Sequence, residues 1–491
     1  MAEQLVALGK RSSFMEQHSR KTIAASMYSF DHLIRYHLAS MVMLGEKGII
    51  KRENARAIIK ALFEIRELGP EKIDFDPSME TIHPTIEKLV IEKLGADAGG
   101  DIAIGRARYE FGYVAEMLAN REDSLEAMAC LSMLDKSLRG VAGRTLDALA
   151  PYYTLHMRAE PITFGYYFAS INEGVQQNLR RLRQAYGRMD RSNAGIGHIV
   201  PSALGFDRVR LGELLGFPTV GETSLYLYFN VDVAIDMMGS LALTATNIGR
   251  FCLDLSLWTS SDLGLVRFGD LFSGVSFVMP HKRNPSFLKP IQHAVIHTKT
   301  VHGQALEIYS HTTPMKLTGL VEIPGLLHGA LDEMRFASEF LSGAIDSVEV
   351  DRVKGKALAE ADFTQSAQLV HLLIDQHGAS WRSAEQIVGK LVKEILGAGQ
   401  KAQDIKPEAL SRLTSEALGR KVEVTPESLH DALDALAIVK TRGDSGPAPE
   451  AVAEILKKQE ATAKEMEAFV AAEKAHFAQT WKRLDEVAKA L

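Results

Sequence analysis

The sequence has little of several features that would point to a secreted, membrane-bound or disulfide-rich protein. It contains only two cysteines, Cys130 and Cys252, so no disulfide framework is available and a reducing compartment is the default expectation. No run of about eighteen apolar residues occurs, and the N-terminal stretch lacks an apolar core followed by a small-residue cleavage site. We therefore expect a cytoplasmic protein without a membrane partner.

An excess of charge of one sign is also lacking, because the 491 residues carry a formal net charge of only -6. This balance argues against nucleic acid as a general partner. The arginine-rich stretch NLRRLRQAYGRMDR has no interleaved aromatic residues of the kind that stack on bases, so a solvated helix face explains it better than a nucleic-acid stripe.

Motifs for cofactors and metals are missing as well. The segment GGDIAIGR does not make GxGxxG and follows no strand pattern, and no P-loop, calcium loop or Ser-His-Asp elbow is present. The stretch HAVIH places His293 and His297 one helical turn apart, a spacing that could ligate zinc. It lacks the glutamate of HExxH and a nearby carboxylate, which favours ordinary helix histidines. No cofactor and no metal are expected.

What the sequence does have is helical periodicity along almost its whole length. The segment DVAIDMMGSLALTATNIGRFCLDLSLW is apolar around most of its circumference, so it must be buried on most sides, as in a helical bundle. Composition and breakers predict an all-α chain in three parts: an N-terminal helical domain over 1–113, a central long-helix bundle over 114–360 and a C-terminal helical domain over 361–491. The last part should end in one long exposed helix from Ala451.

One loop departs from this pattern. SGVSFVMPHKRNPS, residues 273–286, combines a glycine, two prolines, three serines, a histidine, two cations and an amide. Its Ser276, Met279-Pro280, Lys282 and Asn284-Pro285 resemble the signature loop of the fumarase/aspartase superfamily, GSSxMPxKxNP. The stretches TIHPTIEKLV with GGDIAIGRARYEFG, and APYYTLHMRAEPITFGYY, resemble two other blocks of that superfamily. Argininosuccinate lyase is the most similar branch, with GRSRND, YTHLQRAQP and a C-terminal GGTAPEAV that appears here as SGPAPEAV.

The resemblance implies a fold, an assembly and a reaction. Members have an all-helical subunit of three domains, form homotetramers and build each active site from three subunits. They remove a proton next to a carboxylate and expel an amine or hydroxyl from the neighbouring carbon, usually releasing fumarate. That proton is very weakly acidic, so the doubly charged intermediate must meet preorganised donors and a cation.

The matched positions then receive roles from the resemblance. Ser276 is the catalytic base, Lys282 supplies positive charge beside the developing dianion, and Asn284 donates an amide to the carboxylate. The glycine and prolines of the loop suit a lid that opens for substrate and closes to exclude water.

Other blocks supply substrate contacts. Arg108 and Thr154 match carboxylate-binding residues, and a guanidinium can hold a carboxylate with two hydrogen bonds. His83 matches a substrate-contacting histidine, with Glu87 in the place of the glutamate that accompanies it. Each residue also has a purely structural alternative.

The departures from the family pattern concern the site directly. Leu155 replaces a histidine, and Lys289 replaces the glutamate that pairs with it. Met157 replaces a glutamine, Tyr109 an asparagine and Phe277 a serine, while TTPMKLTGLVEIPG replaces the polar KGLPLAYNKDLQED. Losing both members of a charged pair indicates a remodelled site, since losing one would leave a charge uncompensated. Argininosuccinate should therefore be a poor substrate.

Two replaced positions leave alternatives open. His156 follows Leu155, but in a helix it would point about 100° away and could not take over the histidine's role. Lys289 could attract an additional anionic group of the substrate, or it could turn out to solvent beside Pro290. Both residues are kept as candidates for substrate binding.

The sequence thus predicts a carbon-nitrogen lyase that acts on a carboxylated amine or N-succinyl-type substrate. A non-catalytic tetrameric scaffold with the same fold is the alternative from another class. A true argininosuccinate or adenylosuccinate lyase is a weaker alternative, since MPHKRNP also suits the adenylosuccinate branch but GPAPEAV does not. The predicted site residues are Ser276 and Lys282 for catalysis, with Asn284, Arg108, Thr154, His83, Tyr109, His156 and Lys289 for substrate binding.

Overall fold

The N-terminal part of the chain is a group of helices around one apolar core. In the computed structural model, residues 13–197, 200–229, 231–313 and 320–491 are described. Gly69 and Gly95 end two of the helices with φ of 79° and 80°, which glycine adopts without a Cβ penalty. The helices of this part are α1 Ser13–Ser26, α2 Phe30–Glu46, α3 Arg52–Leu68, α4 Ile82–Leu94 and α5 Ala96–Gly99.

The central part is built from long helices that share a single core. Its members α6, α7, α10, α11 and α12 bury leucine, alanine, methionine and isoleucine at three- and four-residue spacing. No proline interrupts the 37 residues of α6, which therefore span about 54 Å. The helices are α6 Arg108–Arg144, α7 Phe164–Met189, α8 Arg208–Leu214, α9 Ser224–Phe229, α10 Asp232–Trp258, α11 Leu288–Ser310 and α12 Ile323–Asp346.

Within one chain α10 leaves a strip of leucines open, so burial on its remaining side would need a neighbouring copy and stays a prediction. Leu243, Leu253 and Leu257 on this helix are exposed, Leu253 by 58%. A helix this apolar on its open face is typical of one that packs against another copy of the chain.

The C-terminal part has a small core of its own, formed by α14 to α17. The terminal helix α19 does not pack there. Val452 and Phe477 of this helix lie in the central core, and Leu484 lies in the N-terminal core. The prediction of an exposed helix is therefore wrong for the face that carries these residues. The division into 1–113, 114–360 and 361–491 stays a proposal. The helices are α13 Arg352–Ala359, α14 Ser366–His377, α15 Trp381–Gly397, α16 Pro407–Leu418, α17 Pro426–Leu433, α18 Ala435–Thr441 and α19 Pro449–Ala490.

Short antiparallel strand pairs accompany the helices, and the predicted all-α class is confirmed. In the described ranges the pairs are β1 with β2, β3 with β6 and β4 with β5. No helix among those residues is long and apolar enough to cross a membrane. The strands are β1 Leu149–Thr154, β2 Met157–Thr163, β3 Val266–Arg267, β4 Gly274–Val275, β5 Arg283–Asn284 and β6 Glu349–Val350.

Candidate active site

The signature loop is a small hairpin with Ser276 and Lys282 at its tip. Strands β4 and β5 close it, with Gly274 paired to Asn284. The Met279 N–H donates to Ser276 Oγ at 3.1 Å, and the Lys282 N–H donates to the Met279 carbonyl at 3.0 Å. The second bond closes a turn in which Pro280 has the position that proline favours. Because an N–H donor stabilises a negatively charged oxygen more than a neutral one, this arrangement would support an alkoxide at Ser276.

Aromatic side chains anchor the hairpin to the end of the bundle where α6 and α12 finish. Phe287 is buried, with its ring centroid 4.6 Å from that of Phe268. Just before the loop, the Gly269 N–H donates to Ser347 Oγ at 3.2 Å. Arg144, the last residue of α6, donates to the Val348 carbonyl at 3.2 Å. The base of the loop therefore lies at the Arg144 end of α6.

Thr154 lies near the tip of the β1–β2 hairpin, at the same end of the bundle. The two-residue turn after it consists of Leu155 and His156 with φ of 50° and 62°, so the segment is not helical and the helical estimate for His156 does not apply. Positive φ at two residues that are not glycine is costly and is concentrated at functional sites. Thr154 and His156 are exposed, and Leu155 is 98% exposed.

Ion pairs connect this hairpin to the C-terminal part of the chain. Arg158 of β2 pairs with Asp362, and Glu160 lies 3.6 Å from Arg442. Lys289 is exposed in the first turn of α11, where its N–H donates to the Ser286 carbonyl at 3.3 Å. Within the isolated chain Lys289 thus turns to solvent.

Arg108 and Tyr109 lie at the opposite end of α6, where they begin the helix. Arg108 is exposed and its Nη1 donates to Glu80 Oε2 at 2.5 Å. The Tyr109 ring stacks on Tyr113 at 5.5 Å and meets Tyr228 edge-on at 4.9 Å. Burial raises the pKa of Tyr109 well above its usual range, so its hydroxyl is neutral and available as a hydrogen-bond donor.

His83 is near Arg108 but lies almost entirely inside the N-terminal core. It is 4% exposed, and its ring stacks on Phe111 with 3.7 Å between centroids. Burial, assisted by the charges of Arg106 and Arg108, lowers the pKa of His83 to about 3. Its Nε2 lies 3.6 Å from Glu87 Oε2. His83 is therefore a neutral imidazole, which can offer a substrate carboxylate a hydrogen bond but no charge.

Glu110, which no sequence motif singled out, is fully buried beside these residues. Its carboxylate accepts the backbone N–H groups of Gly195 and Gly197, each at 2.7 Å, and the Tyr36 hydroxyl. Gly195 and Gly197 have φ of 73° and 78°, which lets the loop curl around the carboxylate. A lone acidic residue among Phe111, Val114 and other apolar residues was the available signal.

A single chain cannot bring all the predicted residues to one small substrate. Ser276 lies seven residues beyond Gly269, a reach of at most about 25 Å. Arg108 is at the other end of α6, about 54 Å from Arg144. The chain thus contributes three separate surfaces: the start of α6, the β1–β2 hairpin and the signature loop.

The predicted residues do not include a metal site. In the described part of the chain, no group of three or more histidine, cysteine, aspartate or glutamate side chains has the geometry to hold a metal ion. His297 instead lies 3.9 Å from Glu333 of α12, as a helix histidine does beside a carboxylate.

Comparisons with known proteins show which family the chain belongs to. A family model described as lyase matches residues 9–296, more than half of the chain. Argininosuccinate lyase from Methanococcus maripaludis strain C5 is 28% identical over 427 residues, which cover 86% of this chain and 87% of the relative. The enzyme of that name from Methanothermobacter thermautotrophicus is 28% identical over 475 residues, covering 95% and 99%.

Solved structures share the fold. EDDS lyase in complex with formate superposes with a TM-score of 0.86 at 22% identity, covering 99% of this chain and 96% of that one. Class II fumarase from Schistosoma mansoni gives 0.70 at 14% identity, covering 85% and 91%. The family match and the similar enzymes favour a lyase over the non-catalytic scaffold. The chain belongs to the lyase family of the fumarase/aspartase superfamily, is argininosuccinate lyase-like and is a carbon-nitrogen lyase.

Proposed function

We propose that this enzyme eliminates an amine from an N-succinyl-type substrate other than argininosuccinate and releases fumarate or a related unsaturated acid. The observation that carries the proposal is the signature hairpin, which holds Ser276 and Lys282 on one tip with a backbone N–H directed at the serine oxygen. The groups that the resemblance assigns to proton removal are retained, whereas several of those assigned to the leaving group are replaced.

Proton removal would use the hairpin together with the carboxylate-binding residues. Ser276 takes the proton from the carbon next to the carboxylate, and Lys282 and Asn284 face the negative charge that develops there. Arg108 and Thr154 hold the carboxylates, so that the reacting carbon stays in line with the serine oxygen. Donors fixed before the reaction need no reorganisation during it, which is why such a hairpin lowers the barrier.

On the leaving-group side the chain presents apolar and aromatic surface. Leu155, Met157 and Phe277 are exposed, Met157 by 70%, where the resemblance leads to polar side chains. Burying a guanidinium against such groups without partners is expensive. An alkyl or aromatic amine, or an amine that carries further carboxylates and meets Lys289, suits this surface better. The fold is shared with EDDS lyase, so EDDS belongs among the compounds to be tested.

We also propose a cytoplasmic homotetramer in which each site combines surfaces from several subunits. The exposed leucines of α10 and the exposed apolar tips of both hairpins would be covered by neighbouring copies. Because α6 is about 54 Å long, Arg108 and Ser276 at one proposed site would come from different chains. Cys130 and Cys252 are free thiols, as a reducing compartment requires.

The relatives support a second candidate, a true argininosuccinate lyase, because the similar enzymes cover most of the chain under that name. The two candidates differ in one measurement. Fumarate formation should be followed with argininosuccinate, adenylosuccinate, EDDS and a series of N-succinyl amino acids. We expect negligible release from argininosuccinate and clear release from at least one other substrate, whereas efficient cleavage of argininosuccinate would make the replacements silent.

The active substrate then tests the base. Ser276→Ala should lower turnover by about a thousandfold without changing the fold, because the base acts only in the transition state. Ser286→Ala, on the same loop but outside the tip, is the matched control and should retain turnover. Near-normal turnover of Ser276→Ala would remove the serine from this role.

A further inference from the structure

A second buried histidine lies directly behind His83. His37 of α2 is fully buried, and its Nε2 is 3.1 Å from His83 Nδ1. The planes of the two rings are inclined by 24°, with centroids 5.0 Å apart. At this distance one nitrogen donates a proton and the other accepts it. The signal in the sequence was a lone histidine in the apolar stretch HLASMVML, and no role was assigned to it.

Burial keeps both rings neutral, so each carries one proton on one of its two nitrogens. It lowers the pKa of His37 well below its usual range, and the neighbouring His83 adds to the effect. The pair therefore has two arrangements. Either His37 Nε2–H donates to His83 Nδ1, or His83 Nδ1–H donates to His37 Nε2.

The surroundings favour the first arrangement at both ends of the pair. In the first, His83 carries its proton on Nε2, which points toward the Glu87 carboxylate 3.6 Å away. In the second, the Nε2 lone pair of His83 faces that carboxylate. Among the residues that the structure describes, His37 Nδ1 has no hydrogen-bond partner, so in the second arrangement it becomes a buried N–H without an acceptor. A buried N–H without an acceptor is rarer and more costly than an unsatisfied lone pair.

We propose that His37 is a positioning residue that holds His83 as the Nε2–H tautomer, so that His83 presents a neutral N–H donor to a carboxylate of the substrate. Without substrate the proton is directed at Glu87. The proposal rests on the proposed function only in assigning His83 a substrate contact. It also explains how a histidine that carries no charge can contribute to an anion site.

Two substitutions of His37 that have nearly the same shape distinguish its role as a hydrogen-bond donor from its role in packing. The amide nitrogen of His37→Gln can occupy the place of Nε2 and keep a donor, whereas His37→Glu offers only an acceptor there. Solid-state NMR of the sedimented full-length enzyme, labelled with ¹⁵N-histidine, reports the tautomer, and His83→Phe identifies the His83 signals. We expect a protonated Nε2 and a bare Nδ1 in the wild type and in His37→Gln, and a protonated Nδ1 in His37→Glu.

Fumarate serves as the ligand for a second readout, measured by titration calorimetry. His37→Gln should keep the Kd for fumarate within about threefold, and His37→Glu should weaken it by about tenfold, the loss of one hydrogen bond. His476, whose Nε2 lies 3.1 Å from the Gly216 carbonyl, provides the matched control. His476→Gln and His476→Glu should both leave fumarate binding unchanged.

The outcomes are distinct. A bare Nε2 on His83 in the wild type would overturn the proposal, and so would equal fumarate binding by His37→Gln and His37→Glu. If His37→Glu does not fold, His37→Leu replaces it and should weaken fumarate binding while His37→Gln does not. Failure of the wild-type enzyme to bind fumarate would count against the proposed function, and the NMR spectrum alone would then decide the tautomer.

Discussion

Mixing two inactive variants should restore activity, because the proposed active site combines residues from opposite ends of one long helix. Arg108→Gln removes the proposed carboxylate contact at the start of α6, and Ser276→Ala removes the proposed base on a loop anchored at the end of that helix. A chain with either change cannot support a complete set of wild-type sites by itself. A mixed tetramer can contain some sites in which both residues are intact.

The size of the recovery follows from the geometry. The helix spans about 54 Å and the loop reaches back at most about 25 Å, so Arg108 and Ser276 of one site belong to different chains. With equal amounts of both variants and free exchange, each residue is intact at a given site with a probability of one half. About one quarter of the sites should then be complete, and activity should approach about one quarter of the wild-type value.

The assay compares fumarate release before and after the two variants exchange subunits, with exchange confirmed by native mass spectrometry of differently tagged chains. Mixing Ser276→Ala with Lys282→Met is the matched control. These residues share one hairpin tip, so a chain that supplies one intact residue supplies the other altered one, and no recovery is expected. Activity of the Arg108→Gln and Ser276→Ala mixture that stays at the sum of the separate variants would refute sites shared between subunits.

Three further predictions concern stability. The pKa of His83 falls from 6.5 to about 3 on folding, so the unfolded chain binds more protons between these two pH values. The free energy of unfolding should therefore fall as the pH is lowered through this range, by up to about 1.4 kcal/mol per pH unit. His83→Phe should reduce this slope in denaturant titrations. Burial raises the pKa of Glu116 from 4.5 to about 8, so between these two pH values the folded chain binds more protons than the unfolded chain. Stability should therefore decrease as the pH rises through this range. Glu116→Gln should flatten the plot of Tm against pH over the same range. Arg121 is fully buried and pairs with Asp190, so Arg121→Leu should cost about 3 to 5 kcal/mol in chemical unfolding, and adding Asp190→Asn should recover part of the loss.

Local pattern was sufficient for the fold class and for the chemistry. The three- and four-residue spacing of apolar side chains predicted the long helices, since it reflects which face of a helix is buried. The signature loop pointed to Ser276 and Lys282 because their spacing is a property of consecutive residues. The same pattern did not show that Leu155 and His156 form a turn between two strands, because two residues with positive φ have no composition signal there.

The supporting residues were beyond the reach of the sequence. Glu110 binds two backbone N–H groups that are 85 and 87 residues away, and His37 bonds to a histidine 46 residues away. Such pairs depend on how helices and loops pack, and neither partner alone differs from an ordinary core residue. The burial of the terminal helix was missed for the same reason, since its apolar face has contacts on two cores formed by distant segments.

The sequence by itself determined that the chain is helical and that its loop resembles the signature loop of eliminating lyases, because helix period and loop spacing are encoded in adjacent residues. Only the tertiary structure decided where these groups lie. It separates Arg108 from Ser276 along α6 and places His83, neutral and almost fully buried, against His37. Distances and burial arise from contacts between segments remote in the chain, and burial is what lowers the pKa of His83 and keeps its ring neutral.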